Sequence, residues 1–338
     1  MDFTHFTAGN DDDGRRLDRI LRRLLPQENL SSLYKSLRKG LIKVDGKKSQ
    51  PSSLVKSGSD IQIASFILEE KTAPQSDTKS EEKKTSPLDP AIIIFRNEAL
   101  LFLNKPYDIP VQPSPNQKIQ SLSQIVQSDF EITQNNQSLS FKSGALHRLD
   151  RKTTGILAFS QNLQGARWFS QKIQSHQIKK IYLAIIQGHL PQKEKWLDKI
   201  SRQEEDIKSP KNSFKTVKVS KNLEQDEGKI AITTVSPLSY GTYKNQPVTL
   251  ASFNIETGRT HQIRSQSSSH GYPLLGDKAY RGLPLEAKYG QDFFLHAFQI
   301  QLPQDNPFSL PKLLQAPLPK AFSLFLKTCR IDFNISSL

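Results

Sequence analysis

The chain has 338 residues, long enough for two domains of ordinary size, and carries 47 Lys and Arg against 33 Asp and Glu, a formal net charge of +14. Apolar residues make up 36%, below the ~45–50% of a typical globular chain that also counts Gly, so a core is expected beside a polar insert or linker. A positive surplus of this size favours a polyanionic partner, nucleic acid or an acidic membrane surface, and the single cysteine, Cys329, excludes an internal disulfide and a cysteine-cluster metal site.

At the amino terminus, Met1 to His5 and the acids Asp11 to Asp13 offer neither the basic start nor the apolar stretch of a leader. No run approaches the ~18 apolar residues of a membrane helix, so the expectation is a cytoplasmic protein without a membrane contact. Leu17, Ile20, Leu21, Leu24 and Leu25 recur on one helical face, predicting a helix from Arg15 to Pro26. Arg15, Arg16, Arg19, Arg22 and Arg23 cover much of its remaining surface. Ser31 or Ser32 can cap a second helix, which Gly40 would stop. Ile42-Lys43-Val44 alternates like a strand, Asp45-Gly46 reads as a hairpin turn, and Ile61-Gln62-Ile63 as a further strand. Residues 15–60 hold twelve basic and four acidic side chains.

This pattern resembles the S-four-type RNA-binding domain, carried by RRLDRILRRLL, SLRKGLIKVDGKK and LVKSGSDIQI in that order. The resemblance implies a basic helical surface, with Arg15, Arg16, Arg19, Arg38, Lys39 and Lys43 as RNA contacts. Contacts of this kind with phosphates position a nucleic acid more than they select its sequence. Residues 69–90, EEKTAPQSDTKSEEKKTSPLDP as far as the proline, hold one large apolar residue, Leu88, and read as a flexible linker. The expected organisation is an RNA-binding domain over 14–68, the linker over 69–90 and a large domain over 91–338. A second polar tract, about 200–229, reads as an excursion of the large domain, with strand-like alternation at Phe214, Val217 and Val219.

Three stretches of the large domain carry chemistry. Leu101 to Pro106 is an apolar strand ending in Asn-Lys-Pro. In GALHRLDRKTTGILAF, residues 144–159, Asp150 stands between Arg148 and Arg151 in a polar loop that leads into a buried strand. A nearby guanidinium stabilises an ionised carboxylate, and such a group can serve as nucleophile or base. The same spacing reads equally as a structural Asp–Arg pair at a strand end. In ETGRTHQIR, residues 256–264, a strand would place Arg259, His261 and Ile263 on one face and Thr260, Gln262 and Arg264 on the other. The seven histidines show no metal-ligand spacing, and no metal is expected.

Together these stretches resemble the RluA-type pseudouridine synthases. The matches are Asn104-Lys105-Pro106, His147 to Gly155, Lys180-Ile181-Tyr182, Thr257 to Arg264 and Gly276 to Tyr280, in order across about residues 92–300. The resemblance implies an α+β catalytic domain with a mixed, mainly antiparallel sheet flanking an RNA cleft, no cofactor, and isomerisation of an extruded uridine. It maps the essential carboxylate to Asp150, its arginine partner to Arg264 and the tyrosine stacked on the base to Tyr182. Arg148 would fill the space left by the flipped nucleotide. His147, Lys105, Ile263 and Arg259 join the expected substrate contacts, with Leu149 lining the pocket and Lys105 supporting the loop. The sequence departs from the family at Asp108, where a glycine is usual, at Thr154 for Ser, and in the polar SQSSSHGYP after Arg264. Trp168, Phe169 and Cys329 read as core, Trp196 as an anchor of the polar tract, and His261 and His296 as structural hydrogen-bonders.

The reading is a monomeric uridine-isomerising enzyme acting on structured RNA, with large-subunit rRNA as the target and tRNA as the alternative. A silent RNA-binding assembly factor is the second class. A basic membrane-surface protein is the third, and no amphipathic anchor supports it.

Overall fold

The computed structural model describes residues 1–69, 87–114, 119–133, 138–202, 216–224 and 226–334. Contacts divide the chain into two units. The first is Met1–Asp89 with Ile125–Gly144 and Ser160–Ala166; the second is Pro90–Gln124, Ala145–Phe159 and Arg167–Leu338. Most of the expected linker, residues 70–86, lies outside the described residues, as do 203–215 of the polar tract, Phe214 among them.

The first unit begins with β1 (Phe3–Thr7), β2 (Arg15–Arg16), α1 (Leu17–Leu24) and α2 (Leu30–Lys39). It continues with β3 (Ile42–Val44), β4 (Lys47–Lys48), β5 (Leu54–Val55), β6 (Asp60–Ala64) and α3 (Ser65–Glu69). The main sheet runs β1-β6-β3-β4, and β2 pairs with β5. That pairing is why the first helix starts at Leu17 rather than Arg15: the backbone of both arginines is committed to Leu54 and Val55. Leu17, Ile20 and Leu21 are fully buried against Leu33, Leu37, Ile42, Ile61 and Ile63, each large side chain contributing about 1.5–3 kcal/mol. The cap of α2 is Asn29, whose side chain accepts from the Ser32 amide at 2.9 Å, in place of either serine. Gly40 ends α2 with φ 73°. Asp45 and Gly46 both take positive φ, 51° and 73°, as the tight β3–β4 turn demands. Asp12, completely buried, accepts from the amides of Gly9 and Leu139 at 2.9 and 2.7 Å and from the hydroxyls of Ser138 and Ser140. A buried carboxylate needs such a set of donors to offset its lost hydration.

The second unit holds β7 (Ile93–Arg96), β8 (Leu100–Lys105), the start of α4 (Leu122–Thr133), β9 (Thr154–Ser160), most of α5 (Leu163–Gln174), β10 (Lys179–Gln187) and β11 (Glu194–Arg202). After them come β12 (Val217–Ser220), β13 (Lys229–Tyr243), β14 (Gln246–Ile255), α6 (Gln262–Ser269), β15 (Leu295–Gln301), β16 (Leu313–Gln315) and α7 (Lys320–Thr328). The sheet order is β12-β11-β13-β14-β10-β15-β9-β8-β7, with β16 on β15. The β10–β14 and β10–β15 pairs are antiparallel, whereas β9 runs parallel to β15. The architecture is the expected α+β class with a mixed, mainly antiparallel sheet. Gly155, at φ 106°, lets β9 approach β15 so closely that a Cβ there would strike the Ala297 backbone.

Phe102, Ile156, Ala158 and Phe169 form one core layer, with Trp168 packed against it. Phe294, Phe298, Phe322 and Phe325 form a second one that includes Cys329. Trp196 is buried on β11 and stacks on His270 at 4.6 Å. β10 lies at the middle of the sheet, and its register against β15 slips between Ile181 and Tyr182. Such an irregularity re-aims the side chain beside it.

Candidate active site

Asp150 sits in the loop that delivers the chain from Gly144 into β9. Lys105, at the end of β8, pins that loop from below. Its ammonium donates to the carbonyls of Pro106, Arg151 and Thr153 at 2.9, 2.7 and 2.8 Å, and the residue is completely buried. Burial lowers its pKa to about 7, with Asp150 and Asp108 pulling the other way. Lys105 is therefore a loop support and not an RNA contact, because its three donors are spent on carbonyls. The flanking arginines do not partner Asp150: Arg151 pairs with Asp108 at 2.9 Å, and Arg148 is exposed. Asp108 takes φ 62° at the turn where the family usually has glycine, a conformation Asp tolerates better than most residues.

The partner is Arg264, whose Nη1 lies 3.4 Å from Asp150 Oδ2. Arg264 does not stand on a strand. Residues 256–261 form a loop, and α6 begins at Gln262, after His261 in a left-handed conformation at φ 53°. The strand reading fails because α6 is polar yet buried. Gln266 is satisfied by Thr233 and Asp198, both at 2.6 Å, and Asp198 also meets His270 at 3.0 Å. Those partners come from the sheet, so α6 needs no apolar stripe to bury itself. Its first turn then points Arg264 at Asp277, which takes Nε at 2.6 Å and Nη2 at 2.9 Å. The guanidinium lies 5.0 and 4.7 Å from the Tyr280 and Phe293 rings. Burial opposes its charge, but the hydrogen bonds and charge of Asp277, followed by Asp150, hold its pKa above the ordinary value. Gly276, at φ 96°, is required beside Asp277, since a Cβ there would strike the Asp292 carbonyl.

A cleft of about 490 Å³ opens over this chain of charges, large enough for a nucleotide-sized group. Tyr182, Leu149, Ile263, His147, Arg148, Arg259 and Arg264 all line it. Burial, and then the charge of Asp150, raises the Tyr182 pKa, so the phenol keeps its proton. His147 stacks on Phe169 at 6.2 Å and accepts from the Ala158 amide at 3.1 Å. Burial, with Lys180 adding to it, lowers its pKa to about 3 and leaves it neutral. Arg148 also borders a second hollow of about 570 Å³ with Pro110 to Gln112. Arg259 donates to the Ile230 carbonyl at 2.8 Å. His261 shares a hydrogen bond with the Tyr280 hydroxyl at 2.9 Å and lies 3.8 Å from Asp150, so it lines the cleft as well as bracing it. His296 is buried, bonded to Thr154 at 2.8 Å.

The expected RNA contacts of the first unit differ in availability. Arg15 donates to Ser140 at 2.9 Å, and Arg16 pairs with Asp18 at 2.7 Å. Lys43 lies over the Phe3 ring at 4.6 Å. Arg19, Arg38 and Lys39 are exposed and form no ion pair among the described residues. Sequence reasoning gave no role to Asp277 or Lys180, although both fall inside quoted motifs. For Asp277 the available signal was its position directly after a glycine.

A cleft built of a carboxylate–arginine–carboxylate relay beneath a neutral tyrosine, on a mixed sheet of this order, defines a class that comparison with known proteins then specifies. Residues 99–269, just over half of the chain, match the family model described as RNA pseudouridylate synthase, and residues 15–61 match the S4 domain. The chain belongs to the RNA pseudouridylate synthase family. It is 27% identical over 329 residues to a ribosomal large subunit pseudouridine synthase D of Pseudomonas aeruginosa, covering 94% of this chain and 93% of that one. It is 28% identical over 319 residues to a ribosomal large subunit pseudouridine synthase C of Rickettsia conorii, covering 91% and 95%. A tRNA pseudouridine synthase C of Haemophilus ducreyi is 30% identical over 198 residues, covering 56% of this chain and 74% of that one. The solved human RNA pseudouridylate synthase domain containing 4 shares the fold, with a TM-score of 0.53 at 21% identity over 71% of this chain and 94% of its own.

Proposed function

We propose that this protein converts specific uridines of large-subunit ribosomal RNA to pseudouridine, acting as a cytoplasmic monomer, with Asp150 as the essential carboxylate. The observation that carries the proposal is the Asp150–Arg264 contact of 3.4 Å at a nucleotide-sized cleft that Tyr182 also lines. In the isomerisation the bond from uracil N1 to the ribose C1′ breaks, the base turns, and C5 joins C1′. The proton on C5 leaves and N1 gains one, so no redox partner or transferred group is needed. Arg264 holds Asp150 for the sugar, Tyr182 covers the base, and Leu149 and Ile263 keep the base in apolar contact. Arg148, exposed beside the carboxylate, would take the place of the extruded nucleotide. Full-length similarity to large-subunit synthases supports rRNA over tRNA, as does the basic N-terminal module.

Pseudouridine mapping on RNA from cells lacking the protein, with and without its restoration, tests the reading. One or more large-subunit rRNA positions should lose pseudouridine and regain it. Loss confined to tRNA would move the target, and no loss in any RNA would leave a silent assembly factor.

A further inference from the structure

Lys180 stands two residues before Tyr182 on β10, on the same face and roughly 6.6 Å along the strand. It lines the cleft and is only 8% exposed. Among the described residues its ammonium meets no carboxylate and makes no hydrogen bond, and it is not fully cut off from solvent, so it opens onto the cleft. The cleft's two carboxylates are engaged elsewhere: Asp150 by Arg264 at 3.4 Å, and Glu256 by Lys195 at 3.0 Å. Both neighbouring strands hold Lys180 in register, opposite Ile255 on β14 and Ile300 on β15. Its Nζ faces the Gly258 backbone, where an added Cβ would lie 3.9 Å away, at ordinary contact distance.

We propose that Lys180 is a substrate-binding residue that takes a phosphodiester of the RNA strand carrying the target uridine, anchoring that strand one step away from the base held by Tyr182. An unpaired ammonium at the end of a largely buried side chain is less favourable than a solvated one until an anion arrives. The carbonyl oxygens of uracil can be met by neutral donors, whereas the phosphate is the one anionic group RNA brings to a cleft. Burial also lowers the Lys180 pKa, the direction expected of a cation waiting for its partner. The inference rests on the cleft being the uridine site.

The test uses the full-length protein and a transcript spanning a uridine identified by the mapping above. Lys180→Met and Lys180→Gln should weaken binding and raise KM about tenfold, with kcat within about threefold of wild type. The plot of log affinity against log salt should become shallower by about 0.7–0.9, the release of one phosphate contact. Lys180→Arg should keep the wild-type slope. Thermal melting of each variant separates lost folding from lost binding, and a neutral residue at this site should leave Tm unchanged or raised. If folded Lys180→Met and Lys180→Gln keep the wild-type slope and KM, or lose kcat at unchanged affinity, the proposal is overturned while pseudouridine formation by wild type stands. If wild type forms no pseudouridine in any RNA, the reading of the cleft falls and this proposal with it.

Discussion

Asp277→Asn separates the orientation of Asp150 from the stability of the fold. Asp277 is 2% exposed and grips Arg264 through two short bonds, Nε–Oδ2 at 2.6 Å and Nη2–Oδ1 at 2.9 Å. Asparagine keeps one acceptor and turns an amide N–H₂ toward a guanidinium donor. One charge-assisted bond is lost, and the buried cation keeps only Asp150 as a charged neighbour. A loss of about 2–3 kcal/mol follows, a Tm fall of about 4–12 °C for a domain of this size. Held at one point instead of two, Arg264 stays near Asp150 but swings so that Nη1 no longer meets Oδ2. Losing that one bond to a charged group, worth about 1.5–3 kcal/mol, should lower kcat by about 10- to 100-fold. The assay is tritium release from RNA labelled at uridine C5, run below the variant's melting range. Asp198→Asn is the control. Asp198 is equally buried and holds Gln266 and His270 of the α6 region, but it touches neither Arg264 nor Asp150. It should lower Tm and spare kcat. If Asp277→Asn melts early yet turns over at the wild-type rate, Asp277 supports the fold alone and the relay reasoning is wrong.

Lys105→Met should leave three carbonyls unmet and cost about 2–4 kcal/mol. It should also depress kcat while RNA affinity, measured by filter binding, stays within about twofold of wild type; a large affinity loss would make Lys105 an RNA contact after all. His147 and His296 have pKa values lowered by burial to about 3 and about 4. The unfolded chain therefore binds protons near pH 6.5 that the folded one refuses, and stability present above pH 6.5 is lost as pH falls toward 4 and then 3, by up to about 1.4 kcal/mol per pH unit for each histidine. Urea unfolding at pH 7, 6 and 5 should show this decline, and a flat profile would contradict it. Asp12→Ala should destabilise the first unit by about 2–3 kcal/mol, because the Gly9 and Leu139 amides and two serine hydroxyls lose their common acceptor. An unchanged melting curve would show that these donors find water instead.

The parts of the fold visible in the sequence are those written in local patterning. The apolar spacing of Leu17, Ile20 and Leu21, the stop at Gly40 and the Asp45-Gly46 turn each reflect a backbone preference that acts over a few residues. Asp150, Tyr182 and Arg264 could be singled out because their motifs stand in the family's order along the chain, and the structure gathers them at one cleft. Their partners were not. Arg264 is held by Asp277 from a loop thirteen residues on, and Arg15 is engaged by Ser140, 125 residues away. Helix α6 was read as a strand because periodicity equates burial with apolarity, whereas Gln262, Ser265, Gln266 and Ser267 are buried polar residues. Gln262 and Gln266 find their partners on distant strands. Lys180 gave no signal of its own, since an unpaired buried charge is defined by what surrounds it.

The most direct test of the central claim is pseudouridine formation by Asp150→Asn on RNA that wild type modifies. The variant should melt near the wild-type temperature, bind the RNA with similar affinity, and form no pseudouridine. Turnover by that amide would show that the carboxylate held by Arg264 is not the group on which the isomerisation depends.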